Sequence, residues 1–543
     1  MKILIEKISG WNPQLFIELK QRLTSKNMIA SIILSLLIQG CVWFYFYSQL
    51  ATAQIACLNK QSSLYHSIIK DSLDKMSCAY TVGNITIEWQ SWYGDIFICL
   101  SWILSIGAIL GSVCLLIIDL AQEKKCGTLD LIRLTPQSVP RIFIGKVLGV
   151  PILLYLTIAT ILPSHLFAQI GSGGSLKVLL AWYLAIGSLW WLFSTATILA
   201  FLLRHKAIFI IAFILPICLC VRGINRYGLG NLDDYGIGRY LPHSWFWIPI
   251  GLNSIAYYAF TSTSCLVASY WIWQMIKRCY FHDSITIISK KQSYLINLCL
   301  QIWFAGLAIP IMFSNNGEYF HSSSVRGDWA QSVKSGVMHL DWLVSIAFIP
   351  LLLPSKQSLQ NWSYNFQKLF NHQPRTFWRL RLFQDLINND DSPSLLAMVI
   401  NLSISAILWL SINSYQIDYD DGGIKIYNFE SIPAILIWIS TILIYNTIAH
   451  LVELGNHKNT KTMIILIITI LANILIFLGM AIEGSESTIL DSSMLVGYFI
   501  TLMFLLGFSP STTVVSIFLL AQFVLLVILN INLRQKIKIL GRD

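Results

Sequence analysis

Apolar residues fall in long blocks along this chain, and short polar segments separate them. A block of about 18 or more apolar residues reads as a membrane-crossing helix. In the first half the blocks occupy 28–50, 94–120, 142–170, 178–203, 207–221 and 245–276. The fifth contains Pro216, and the sixth is long enough to tilt or break near Pro249. In the second half they occupy 293–313, 338–353, 394–412, 432–454 and 463–482. The last apolar stretch is split by Ser509-Pro510-Ser511. Its first piece, 494–508, reads as re-entrant or interfacial, and 512–533 reads as one crossing. The pattern predicts an all-α, polytopic membrane bundle of about twelve transmembrane helices. Eleven and thirteen are the neighbouring counts. The helices divide into two six-span halves, 1–280 and 281–543, with both termini on one side.

Two amphipathic stretches flank spans rather than forming them. In "NPQLFIELKQRL", Leu15, Phe16, Leu19 and Leu23 share one face and charges take the other. This predicts a helix lying at the membrane interface, with Pro13 in its first turn. "FWRLRLFQDL", residues 377–386, repeats the pattern before a later span. Trp89 and Trp92 suit an interfacial aromatic belt.

Composition sharpens the picture. The 543 residues are 55% hydrophobic and only 12% charged, half the ~25% typical of soluble domains. No polar stretch reaches the ~50 residues a soluble core needs. The chain is therefore expected to be non-catalytic, with any soluble enzyme on another polypeptide. A net charge of +10 suggests nucleic acid at first sight. Most of the 37 Lys and Arg, however, gather in short loops on one side, the positive-inside pattern, so no nucleic-acid partner is expected. The mixed first residues lack the cleavage pattern of a secretory signal. The eleven cysteines form no CxxC pair and no zinc spacing. Cys57 and Cys78 fall in one predicted outer loop, as a disulfide or as two free thiols.

One inner segment stands apart: "QEKKCGTLDLIRLTPQSVPRIFIGK", residues 122–146. Each charge near a bilayer centre costs at least ~2.5 kcal/mol. Glu123, Lys124, Lys125, Asp130 and Arg133 together exclude it from the membrane. Gly127 and Thr128 open a short helical stretch, with Thr128 as N-cap. Leu129 and Ile132 give it an apolar face, and Thr135-Pro136 stops it. Such a face is covered either by a partner or by the lipid interface. The flanking spans carry GxxxG pairs, Gly107–Gly111 and Gly145–Gly149, which let helices approach closely.

This segment resembles the signature of ABC-2 type transporter permeases, E-x-x-x-G-T-L-[ED]-x-[LI]-x-x-[TS]-P-x-S followed by G-K. The resemblance covers roughly residues 10–280. It implies a bacterial plasma-membrane permease with cytoplasmic termini. Residues 122–140 would be a coupling helix docked on a separate ATP-binding cassette subunit. Glu123 would contact that subunit, Gly127 would allow close approach, and Thr128 would cap the helix. Leu129 and Ile132 would fill the partner's groove, Pro136 would end the helix, and Gly145-Lys146 would anchor the next span. ATP and Mg would be bound by the partner, and no cofactor or metal by this chain. A second permease, identical or related, would complete the path, in contact with membrane lipid. Export is the family's usual direction.

Other signals are weaker. "GNHKNTKT", residues 455–462, has Thr460 where a P-loop needs its second glycine. "DYDDGG", residues 418–423, has the wrong spacing for a calcium loop, with Phe429 at the last ligand position. Pro163, His165, His450 and Glu453 lie in or near spans, where ionisable groups are functional candidates. No residue points to a particular substrate. Rival classes are an ion-coupled transporter or channel, which needs paired charges deep in the spans, and a non-transporting anchor for a cytoplasmic ATPase.

Overall fold

The structure is a computed structural model. It describes residues 10–58, 68–70, 76–78, 80–81, 84–85, 89–128, 137–203, 245–246, 248, 250, 254–281, 286–313, 340–372, 381–413, 417–420, 423–426, 431–455 and 512–540. The chain is helical, with β-strands confined to three short antiparallel hairpins among the described residues. Among the described residues, six helices are long and apolar enough to cross a membrane: Ser25–Leu50, Trp89–Cys126, Ile152–Gly171, Leu176–Leu203, Lys290–Ile309 and Ile435–Glu453. A bent pair, Leu340–Leu352 and Lys356–Asn365 at 68°, would make a seventh. These helices mark the chain as membrane-embedded. The expected spans at 207–221, 463–482 and 494–508 lie outside the described residues.

By contacts the chain divides into two compact units. In the first, α1 (Pro13–Arg22) is followed by α2 (Ser25–Leu58). Hairpins β1 (Ile68–Lys70) with β2 (Met76–Cys78), and β3 (Tyr80–Thr81) with β4 (Asn84–Ile85), come next. Helix α3 (Trp89–Ile106) runs through a π-helical turn, Gly107–Gly111, into α4 (Ser112–Cys126). Then come α5 (Val139–Gly149), α6 (Ile152–Gly171) and α7 (Leu176–Leu203). Helix α8 (Ser254–Phe281) carries the chain onward. In the second unit are α9 (Lys290–Phe313), α10 (Leu340–Leu352), α11 (Lys356–His372) and α12 (Arg381–Asn388). The hairpin β5 (Ile417–Asp420) with β6 (Gly423–Ile426) follows α13 (Leu395–Asn413). Helices α14 (Ser431–Glu453) and α15 (Thr512–Leu540) complete the unit.

Two boundaries differ from the sequence pattern, each for a local reason. The third apolar block, expected at 142–170, is two helices. Pro151 follows Gly149 and Val150, and it breaks the ladder before Ile152 because it has no N–H to donate. The second block continues beyond residue 120. Its helix carries Gln122–Cys126 out as one rod and stops at Gly127, whose φ of 71° is open to glycine without strain. Asp418 and Asp420 of "DYDDGG" lie on β5, where Asp420 pairs with Gly423 of β6.

Apolar solvent removes the usual drive for helix association, so packing rests on small residues and hydrogen bonds. Helices α2 and α6 illustrate this with a polar seam. Ser35 Oγ donates to Thr157 O at 3.2 Å, Gln39 Nε2 donates to Thr160 O at 3.2 Å, and Thr160 Oγ1 donates to Ser35 Oγ at 2.6 Å. Ser164 Oγ donates to Gln39 Oε1. The opposite side of α2 exposes Ile33, Leu37, Phe44 and Tyr47, the pattern of a face turned to lipid.

The glycines of α5 are crowded and Gly107 is not. A Cβ added at Gly149 would come within 2.5 Å of Glu18 Cβ, and one at Gly145 within 2.8 Å of the Leu15 nitrogen. At Gly111 it would meet Leu154 at 2.9 Å, and at Gly107 it would meet nothing within 4 Å. Gly149→Leu should therefore destabilise the protein by about 1–3 kcal/mol, as overpacking does. Gly107→Ala should stay within about 1 kcal/mol of the parent. Thermal unfolding in detergent compares the two.

Candidate functional site

Helix α1 is seated on α5 by its own cap. Asn12 Oδ1 accepts from Leu15 N at 3.1 Å, closing the first turn. The same side chain donates from Nδ2 to the Arg141 carbonyl at 2.7 Å, pinning the start of α1 to the start of α5. Gly145 and Gly149 then admit the α1 backbone at close range. Leu15 and Leu19 are buried on the contact face, whereas Trp11 and Ile17 are exposed. The amphipathic helix thus keeps an apolar outer edge for the interface but buries Gln14 and Glu18 as well.

Glu18 is buried because it meets a cation. Lys146 Nζ, fully buried, contacts Glu123 Oε1 at 2.6 Å, Asp119 Oδ2 at 3.1 Å and Glu18 Oε1 at 3.4 Å. An ammonium has three N–H donors, and each finds a carboxylate. Arg22 closes the cluster from above: Nε pairs with Glu18 Oε2 at 3.1 Å, and Nη2 pairs with Asp119 Oδ1. Gln14 Nε2 adds a bond to Glu18 Oε1 at 3.1 Å. The carboxylate oxygens of Glu18, Asp119 and Glu123 lie within 4.8 Å of one another, a spacing that one cation can bridge. Here the Lys146 ammonium is that cation. Burial by itself would lower the Lys146 pKa, but the charges of Asp119, Glu123 and Glu18 raise it above 10.5. Its contribution to stability is therefore complete below 10.5 and is lost only as pH rises through the raised value.

Three helices, α1, α4 and α5, are tied by this one cluster. It sits at the base of the 122–146 segment, since Glu123 lies on the last turn of α4 and Lys146 on α5. Gly127 terminates α4, and the Thr128 hydroxyl donates back to the Glu123 carbonyl at 3.2 Å. On the far side, Ser138 opens α5 with extended backbone and Pro140 in the first turn. Glu123 Oε2 is buried with no hydrogen bond among the described residues.

Of the residues singled out in the sequence, Glu123 and Lys146 come together as an ion pair, and Gly145 and Gly149 face α1. Gly127 and Thr128 cap α4. Leu129, Ile132 and Pro136 lie outside the described residues, as do the side chains of Cys57 and Cys78 and the end of the P-loop-like stretch beyond Gly455. The sequence reading missed Glu18, Arg22 and Asp119. A signal was present: Glu18 with Arg22, and Asp119 with Glu123, are i,i+4 pairs that share a helix face.

His165 is a satisfied core group. Its Nε2 lies 2.7 Å from Ser101 Oγ and its Nδ1 lies 2.7 Å from the Tyr183 hydroxyl. Ser101 also donates to the Phe97 carbonyl at 2.7 Å, and the ring stacks on Phe97 at 4.4 Å. His450 lies in α14, where it accepts from Ser394 N at 3.2 Å.

Comparison of the chain with models of protein families, with curated proteins and with solved structures finds no match.

Removing one partner of a buried ion pair leaves an uncompensated charge and costs about 3–5 kcal/mol. Lys146→Met leaves three carboxylates facing one another and should destabilise the protein by about that amount. Glu123→Gln, whose amide oxygen still accepts from Lys146, should cost less. Protease resistance of the purified protein in detergent ranks the two variants.

Proposed function

We propose that the chain is the membrane-spanning permease subunit of an ATP-binding cassette transporter. One observation supports this most: the segment carrying the permease-like signature is flanked by two helices locked together through Glu123 and Lys146. A short docking helix transmits force only if its roots are stiff. Here one root is α4, a continuous extension of a candidate membrane span, and the other is α5, clamped to both α4 and α1.

On this reading, residues 122–140 meet a groove on a separate cassette ATPase. Leu129 and Ile132 enter the groove, Gly127 and Thr128 set the approach, and Pro136 ends the helix. Mg and ATP bind the partner and are hydrolysed there, so this chain is non-catalytic. Closure of the cassettes moves the segment, and the clamp passes that motion to the spans. Residues 1–280 form the permease half, and 281–543 form a second membrane half without a coupling helix, for twelve spans in all. The termini are cytoplasmic in a bacterial plasma membrane, and substrate moves outward. Pairing of two first halves, in a homodimer or with a related permease, supplies the path.

A second reading, an ion-coupled transporter, is favoured by a single observation, the buried carboxylate of Asp341 in α10.

Leu129→Asp tests the first reading. The variant should insert in the membrane as the parent does, and copurification of a cassette ATPase from membranes should fall about tenfold or more. Unchanged copurification, or the absence of any ATPase with the parent, would remove the reading.

A further inference from the structure

Asp341 is fully buried in the second unit, on α10. Among the described residues, its carboxylate is held by neutral donors. Gln301 Nε2 on α9 donates to Oδ1 at 2.7 Å, and Trp409 Nε1 on α13 donates to Oδ2 at 2.7 Å. The Ser405 hydroxyl also bonds the carboxylate, and it accepts from Gln301 Nε2 at 2.8 Å. No cation pairs with Asp341 among the described residues.

The charged and titratable groups of the packed helices are engaged elsewhere. On α9, Lys290 Nζ is bound to Leu386 O, Ser392 Oγ and Pro393 O, about 16 Å along the axis from Gln301. Lys291 and Cys299 are exposed, and the Tyr294 hydroxyl donates to Ile387 O. Helix α13 carries no titratable side chain. Asn297 Nδ2 donates to Asn401 O at 2.8 Å, and Asn401 Nδ2 donates to Ser293 Oγ at 3.0 Å, extending the network along both helices.

The network is rich in acceptors. Besides the two carboxylate oxygens, the buried Gln301 Oε1 and Asn401 Oδ1 have no donor among the described residues. A carboxylate only accepts hydrogen bonds, whereas a carboxylic acid supplies one donor and carries no charge. Protonation thus answers two conditions together: the lone buried charge, which low dielectric disfavours, and the shortage of donors.

We propose that Asp341 is a proton-binding site within the second unit. The carboxyl carries its proton while α9, α10 and α13 are packed around it, and it loses the proton to water when they part. The O–H bond forms with a proton from water and breaks by returning it, with no other bond changed. The site rests on neither functional reading above.

The test uses the full chain in lipid vesicles and N,N′-dicyclohexylcarbodiimide, which couples to protonated carboxyls in apolar surroundings. Peptide mass spectrometry should find the adduct on Asp341, and its yield should fall about tenfold or more between about pH 5 and about pH 9. Asp341→Asn should abolish that adduct. No adduct at any pH, or a yield independent of pH, would overturn the proposal. Protection by sodium chloride over choline chloride at equal ionic strength would also overturn it, replacing the proton with a sodium ion.

Discussion

A single buried ammonium holds the first unit's amphipathic helix to the helix that leaves the membrane. Lys146 Nζ of α5 lies among Glu18 of α1 and Asp119 and Glu123 of α4, three helices brought together at one point. Desolvating four charges is expensive, and the arrangement persists because every ammonium proton is used and Arg22 takes up the remaining oxygens of Glu18 and Asp119. The glycines of α5 are part of the same constraint. Without Gly145 and Gly149 the α1 backbone would stand off, and Glu18 would no longer reach the cluster.

That clamp changes how the neighbouring elements behave. An amphipathic helix held by lipid alone slides and tilts with the interface. Here α1 is fixed at its cap by Asn12 and farther along by Glu18, so it moves with α5. Farther into the unit, where no charge is tolerated, neutral hydrogen bonds serve the same purpose. The Ser35, Gln39, Thr157 and Thr160 seam joins α2 to α6, and the Ser101, His165 and Tyr183 chain joins α3, α6 and α7. Ionic contacts lie toward the end of the rods, and neutral contacts lie within them.

The second unit uses the neutral device along its helices, and Arg278 adds an ion pair to Asp390 at 2.6 Å. Gln522 bridges α15 to Ser440 and Thr441 of α14, and Asn297 and Asn401 join α9 to α13. Asp341 is placed among such groups with no cation beside it among the described residues. The Lys290 ammonium is spent on the carbonyls and hydroxyl of the 386–393 turn, which fixes the entry to α13 rather than neutralising the acid.

Much of this was legible in the sequence. Apolar blocks fix where helices cross a membrane because every backbone group there must be satisfied within its own segment. The amphipathic pattern of α1 and the proline in the first turn of α5 follow from local rules that need no tertiary partner, whereas Gly127, read as the start of a short helix, stops α4. The block at 142–170 was misread as one span because hydropathy averages over Pro151, whose effect is on the hydrogen-bond ladder rather than on polarity. The partners of Lys146 were hidden for a different reason. Glu18, Asp119 and Lys146 are more than a hundred positions apart at the extremes, and only the folded chain decides which charges share a site. Asp341 was one acid in one apolar block until α9 and α13 closed around it. Local sequence determined where most of the rods lie; tertiary packing alone decided which of their charges lost water and which met one another.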